Sequence, residues 1–385
     1  MIFMAIVFWL LFILIIYAYA GYPLLLFVAS KIFKKAINKK TAERQVSIIL
    51  SAFNEEKSIE QKLLNLLELD YPEEKLEILV GSDGASDKTD EIITRFHSTR
   101  IRFFRFVKNF GKPHVLNSLV KEARGEILIF TDARQEFDRD AVRALVANFE
   151  DPAVGCVSGE LYFKRDFSAG GSVSGGMDVY WRYEKFLRKK ESEMGSMLGA
   201  TGAIYAIRKK LFPKVLPEDI LVDDMYIPFE IIRQGYRAIF ESEARAYDRA
   251  SEQGAQEFKR KTRTLAGNYQ VFMHFPDLFI PFKSPIAWQL FSHKFLRLMI
   301  PFFLLGLFIL NFFLLGKPFY FFTFVAQGLF YGLALLEAWR ARTRKEGKGI
   351  GYIPYTFCLL NYSALVGFFR FLEGKQKANW EKAYA

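Results

Sequence analysis

Met1 to Phe27 runs 27 residues without one charged side chain, and no soluble fold of this length needs such a stretch. A hydrocarbon core about 30 Å thick is crossed by about 20 helical residues, so the run is read as a transmembrane helix. It has no basic stretch ahead of it and no small-residue cleavage site behind it, which reads as an uncleaved anchor rather than a signal peptide. Two more uncharged runs of 19 residues, Leu298 to Gly316 and Pro318 to Leu336, are parted only by Lys317 and read as a membrane hairpin. Gly351 to Phe369 is also uncharged, but Pro354, Asn361 and Ser363 leave two readings open, a full span or an interfacial segment.

Composition agrees, since 51% of the 385 residues are hydrophobic and 41 are Phe. Lys31, Lys34, Lys35, Lys39, Lys40 and Arg44 follow the first anchor, and Arg340, Arg342, Arg344, Lys345 and Lys348 follow the hairpin. Basic residues beside spans face the cytoplasm and anionic headgroups, so the expected location is the inner (plasma) membrane, multi-pass, with the middle of the chain cytoplasmic. The net charge of +11 is then accounted for by lipid, and no nucleic-acid partner is expected. Cys156 and Cys358 have no metal-binding or disulfide spacing.

Between the anchors, apolar runs alternate with helical patterns. Val46–Leu50, Leu76–Val80, Ile101–Phe104, Ile127–Phe130 and Val154–Val157 are the expected strands, and Ser58–Leu69, Lys88–Phe96, Lys112–Glu122 and Asp140–Phe149 the expected helices. That alternation predicts a mainly parallel sheet covered on both faces, with ligands outside the carboxyl ends of its strands. There lie Ser51-Ala52-Phe53-Asn54-Glu55, Gly81-Ser82-Asp83-Gly84 and Thr131-Asp132-Ala133-Arg134. Any one of these acids serves equally well as a helix cap, and Asp87 reads as one; acids at the ends of several strands on one edge favour function for Asp83 and Asp132. Neither a Gly-x-Gly-x-x-Gly turn nor a P-loop is present. A strand-edge carboxylate instead suits a divalent cation on a departing diphosphate.

The stretches VSIILSAFNEE, ILVGSDGASDKT, NFGKPHVLN, ILIFTDARQ, GATGAIYAIRKKLF and ILVDDMYIPFEIIRQGYR occur in the order found in membrane-bound inverting glycosyltransferases of family 2, and the chain resembles that family. The resemblance implies an α/β GT-A-type domain with a mainly parallel sheet, plus transmembrane and interfacial helices. The implied segments are an N-terminal span over 1–30, a cytoplasmic catalytic domain over 45–250 and amphipathic interfacial helices over 251–296. A membrane region of two or three helices over 297–372 and a tail over 373–385 complete them.

The same resemblance implies that Ala52, Asn54 and Glu55 line a nucleotide pocket, that Asp83 holds the uracil or ribose, and that Lys112 lies close by. It places Asp132 where donor diphosphate and Mg2+ or Mn2+ meet, Gly199, Ala200, Thr201 and Gly202 on the acceptor side, and Asp224 as catalytic base. Asp223 would orient its neighbour or cap the following helix; both acids also read plainly as helix caps. Arg134 stands where the family's Asp-x-Asp motif has its second acid, so either Asp132 holds the cation with water or another side chain, or a guanidinium takes over part of the diphosphate charge.

The family's Gln-x-x-Arg-Trp motif is reduced to its Arg, Arg263. With Lys259, Arg260 and Lys261 it forms either a diphosphate clamp or a charged face beside lipid. Trp380 is expected either to cover the site or to anchor the tail at the membrane interface. The glycine-rich stretch Lys164 to Gly176 reads as a gate or a linker, and Trp181 as a sugar contact or a packing residue.

The expected reaction moves a sugar from a nucleotide sugar, taken as a UDP-sugar, to a growing polysaccharide. The alternatives are one sugar added to a lipid-linked acceptor, or a non-catalytic membrane scaffold. Expected partners are the donor, a saccharide or lipid-linked acceptor and membrane lipids. Export or regulatory proteins, and the oligomeric state, are left open by the sequence.

Overall fold

The computed structural model describes residues 1–164, 172–249, 254–343 and 351–374. Trp380, Arg344, Lys345 and Lys348 lie outside them, as does most of the Lys164 to Gly176 stretch. Eight strands form one sheet: β1 (Val46–Ala52), β2 (Leu76–Asp83), β3 (Ile101–Phe106), β4 (Ile127–Thr131), β5 (Glu136–Phe137), β6 (Val154–Lys164), β7 (Tyr205–Arg208) and β8 (Arg237–Arg249). Their spatial order is β3-β2-β1-β4-β7-β6-β8-β5.

The first half, β3-β2-β1-β4, is parallel. Its central strand is buried along its whole length, which an apolar run such as VSIILSA requires of a strand covered on both faces. Alternate side chains feed two cores. Ile49 points into one with Val115, Leu119 and Phe229, from the helices Lys112–Glu122 and Asp223–Arg233. Ile48 and Leu50 point into the other with Leu63, Leu66 and Val142, from Ile59–Leu67 and Ala141–Val146.

The second half is mixed, within a sheet whose pairings are mainly parallel as expected. β7 runs antiparallel to both β4 and β6, and β5 antiparallel to β8, while β6 and β8 are parallel. The expected strand set contains neither β7 nor β8. β8 carries Glu243 and Arg245 on its exposed side while Ala244 and Ala246 are buried, the alternation of a strand solvated on one face.

Four helices among the described residues are long and apolar enough to cross a membrane: Ile2–Ile32, Ala287–Phe313, Pro318–Ala341 and Tyr352–Leu372. This is the architecture of a multi-pass membrane protein. The last is one continuous helix despite Pro354, which lies in its first turn, where a missing N–H costs nothing.

Gly254–His274 is one helix packed on Tyr352–Leu372, and the chain from Ala287 runs through a π-turn, Leu290–Phe295, straight into the second span. Its polar residues allow this because they meet partners from the helix Ser172–Met194. His293 lies 2.7 Å from Glu191 and 3.3 Å from Glu184, Glu184 also pairs with Arg297, and Tyr22 of the first span donates to Glu191 at 2.7 Å. Tyr17 and Ser292 meet at 2.7 Å. One core cluster runs without a break from Ile49 of the sheet to Tyr269, Leu298 and Ala364.

Candidate active site

Apolar strands end where polar loops begin, so the edge holding the ends of β1, β2 and β4 collects the side chains singled out in the sequence. Ala52 closes β1 and is buried in the core. Asn54 adopts a left-handed backbone, φ 54°, and its Oδ1 accepts the Ser86 N–H at 2.7 Å, tying the β1 loop to the β2 loop. The Glu55 N–H donates to Thr89 Oγ1 at 2.8 Å, and Ser58 donates to the Glu55 carboxylate at 2.6 Å. Asp87 accepts the Thr89 N–H at 3.0 Å and the Glu56 N–H at 3.2 Å, one residue ahead of Lys88, the N-cap of the helix Thr89–Thr94.

Asp83 is fully buried. Its two oxygens accept the N–H groups of Phe110 and Gly111, each at 2.8 Å. Asp83 thereby fastens the loop that delivers Lys112. Gly111 holds φ 97°, a backbone open to glycine and strained for other residues, and Lys112 follows as the first residue of its helix.

Lys112 joins the two halves of the site. Its ammonium lies 3.0 Å from Asp132 Oδ1 and 3.1 Å from Asp223 Oδ1. Burial works against its charge, but Asp132, Asp223 and Asp224 outweigh it and raise its pKa. Asp223 also accepts the Tyr205 hydroxyl at 3.0 Å, so both its oxygens are engaged.

Asp223 and Asp224 are the first two residues of their helix, whose N-cap is Val222 with no side-chain cap bond. They are therefore not caps, although the helix dipole favours negative charge there. Asp224 is partly exposed where Asp223 is buried. Its Oδ2 accepts the Gly202 N–H at 3.1 Å and its backbone carbonyl the Ala200 N–H at 2.6 Å. A Cβ on Gly202 would lie 3.0 Å from that oxygen, so the small side chain is what admits the carboxylate. Burial and the neighbouring Asp223 raise Asp224 to about 6, against the lowering pull of Lys112 and Arg188.

Gly199 turns the chain at φ 87°, and Thr201 accepts from Arg188 at 2.6 Å while donating its N–H to Ser158 at 2.9 Å. Sequence reasoning missed Arg188 and Tyr205. Arg188 has no signal in its charged helix, and Tyr205 reads as an ordinary apolar strand residue.

Arg134 is exposed one residue beyond Ala133, next to Asp132. Arg260 pairs with buried Glu257 at 2.7 Å, and no contact joins it to the Lys112 cluster among the described residues. Arg263 lies on the same helix. That helix braces the acidic pair from behind, because Gln270 accepts the Leu221 N–H at 3.2 Å. Lys261 stacks its ammonium 4.7 Å and 4.9 Å from the Tyr180 and Trp181 rings, so Trp181 is a packing partner here.

No group of three or more His, Cys, Asp or Glu is placed for a metal among the described residues. Asp132 offers one carboxylate oxygen beyond the one on Lys112. A cation of the Mg2+ type, which is bound by one or two carboxylates with water and substrate phosphates, fits that donor set; a cage of protein ligands does not.

A sheet with a parallel half, strand-end loops converging on one lysine and an acid pair set against small residues define a GT-A-type glycosyltransferase fold. The structure is similar to a mannosyltransferase from Pyrobaculum calidifontis in complex with GDP-Man and Mn2+, with a TM-score of 0.74 and 23% identity, covering 96% of this chain and 99% of that one. Residues 47–216 match the model of glycosyl transferase family 2. It is 26% identical over 243 residues to the poly-beta-1,6-N-acetyl-D-glucosamine synthase of Staphylococcus aureus strain COL, covering 62% of this chain and 58% of that protein. For the Staphylococcus epidermidis synthase the figures are 25% over 265 residues, 67% and 63%. The match thus spans less than two thirds of either synthase.

Proposed function

We propose that this protein is an inverting hexosyltransferase that moves a sugar from a nucleotide sugar, of the UDP type, to a growing cell-surface polysaccharide. The observation that carries the reading is the Lys112 junction, which joins the Asp132 turn to an acid pair whose second member, Asp224, is partly exposed between small residues. The match of residues 47–216 to the model of glycosyl transferase family 2 and the likeness to the two synthases support it.

Inversion needs the acceptor hydroxyl to attack the anomeric carbon opposite the departing diphosphate. Asp224 takes the hydroxyl proton as the bond forms, a task suited to a carboxylate raised toward neutrality. Gly202 N–H holds that carboxylate in place, and Gly199, Ala200 and Thr201 shape the acceptor side. Asn54 and Glu55 order the loops around the base and ribose beside Ala52, and Asp83 acts through the loop of Lys112. Lys112 and Arg134 face the diphosphate with fixed positive charge. Asp132 would hold Mg2+ or Mn2+ together with the donor phosphates, and that ion would supply Lewis-acid stabilisation of the leaving group. Arg260 and Arg263 would need to turn from their present positions to join.

The basic residues after the first and third spans support a catalytic domain on the cytoplasmic side of the plasma membrane. A second reading is transfer of a single sugar to a lipid-linked acceptor, and the structural likeness to a mannosyltransferase solved with GDP-Man brings GDP-sugars into the donor set for both readings. Purified protein incubated with labelled UDP- and GDP-sugars, with and without Mn2+, tests both. Long products support the polysaccharide reading, a single added sugar replaces it with the second, and no turnover of any donor overturns both.

A further inference from the structure

Lys62 is among the largest fully buried side chains of the protein, 1% exposed, and no carboxylate lies within ion-pair distance of it among the described residues. A buried charge without a counter-ion is costly, so its surroundings must repay it in another way. Its ammonium donates to Thr131 Oγ1 at 2.8 Å and to the Gln135 carbonyl at 2.6 Å, and lies 4.0 Å from the centre of the Phe137 ring. Thr131 precedes Asp132, and Gln135 follows Arg134. One ammonium thus closes both ends of the turn that presents these two residues. The Thr131 hydroxyl passes the link on by donating to the Ala203 carbonyl at 2.9 Å, next to the Gly202 that holds Asp224.

We propose that Lys62 is a positioning residue for the donor diphosphate: it clamps the Asp132–Arg134 turn from beneath and sets a positive field behind it. The inference rests on the sugar-transfer reading of the site. Diphosphate contacts demand placement to a fraction of an ångström, and a turn bound only at its surface would not provide it. Burial draws the Lys62 amine down to about 7 against the opposing fields of Asp132 and Glu136. An added anion in front of the turn favours its charged form, so diphosphate binding and the clamp strengthen each other. Lys62 also lies on the buried face of its helix with Ile59, Leu63 and Leu66, where an apolar side chain would otherwise be expected.

The test compares binding of UDP, GDP and the corresponding monophosphates, in Mn2+, to the full detergent-purified chain and to Lys62→Met, whose side chain fills similar space. The expected result is at least a tenfold loss of diphosphate affinity with monophosphate affinity little changed, because the clamp acts on the distal phosphate contacts. A merely structural lysine would lower the melting temperature and shift both classes together or neither; either pattern in a folded variant overturns the inference. If Lys62→Met does not fold, Thr131→Val decides, since it keeps the shape and removes the hydroxyl link: a selective loss for diphosphates supports the clamp and wild-type binding overturns it. Failure of the wild-type chain to bind either diphosphate would instead remove the sugar-transfer reading, and the inference with it.

Discussion

The backbone N–H of Gly202 donates to Asp224 Oδ2 at 3.1 Å, bringing a loop glycine onto the one acid of the pair that is partly exposed. A methyl group at 202 would stand 3.0 Å from that oxygen and push it aside. Gly202→Ala should therefore lower kcat about tenfold or more, since small displacements of a reacting group are expensive, with little change in melting temperature. Steady-state kinetics beside a thermal melt checks this; unaltered kcat would mean the oxygen is not used in the reaction.

Replacing Asp224 by Asn keeps the shape and removes the proton acceptor. Transfer should fall about 10²- to 10⁴-fold while UDP or GDP binding persists. A folded Asp224→Asn protein with wild-type turnover would assign the base elsewhere.

Burial and Asp223 hold Asp224 at about 6. A general base works only when deprotonated, so kcat/KM for the acceptor should rise with pH through about 6 and level off above it. A profile flat from about pH 5 to 7 contradicts the assignment.

Lys112 is the shared cation of Asp132 and Asp223. Lys112→Met leaves buried Asp223 with the Tyr205 hydroxyl alone and should cost about 3 kcal/mol of stability, together with most donor affinity. Thermal melts and nucleotide binding measure the two effects, and an unchanged melting temperature would show that the pair contributes little to the fold.

Arg134→Asp restores an Asp-x-Asp sequence at the strand edge. A second carboxylate should lower the Mn2+ concentration for half-maximal activity several-fold, whatever happens to kcat. A metal titration that does not move would place the cation away from this turn.

The parallel half of the sheet was legible because each strand is an unbroken apolar run and each helix between shows one apolar face. So were the loops at the strand ends, as a consequence of that topology. The mixed half was not, since β8 hides its alternation among charges and β7 is four residues long. Within the site, Asp132, Lys112 and Asp224 could be named from the motif order, but not that Lys112 would bridge Asp132 to Asp223, a contact between segments far apart in the chain. Nor could the bonds from fully buried Asp83 to the Lys112 loop be read, because a strand-end acid looks the same whether it meets a ligand or a backbone loop. Lys62 did leave a signal, a lysine on an otherwise apolar helical stripe; only its coordinates tell that it bonds both ends of one turn.

Glu184 and Glu191 on the helix Ser172–Met194 reach His293, Arg297 and Tyr22 of two membrane spans. A severed catalytic half would retain both acids with every cation gone, uncovering a raw seam where the bundle had been. The bilayer portion therefore does more than tether the rest of the chain: removing it strips the buried partners from the helix whose Arg188 holds Thr201.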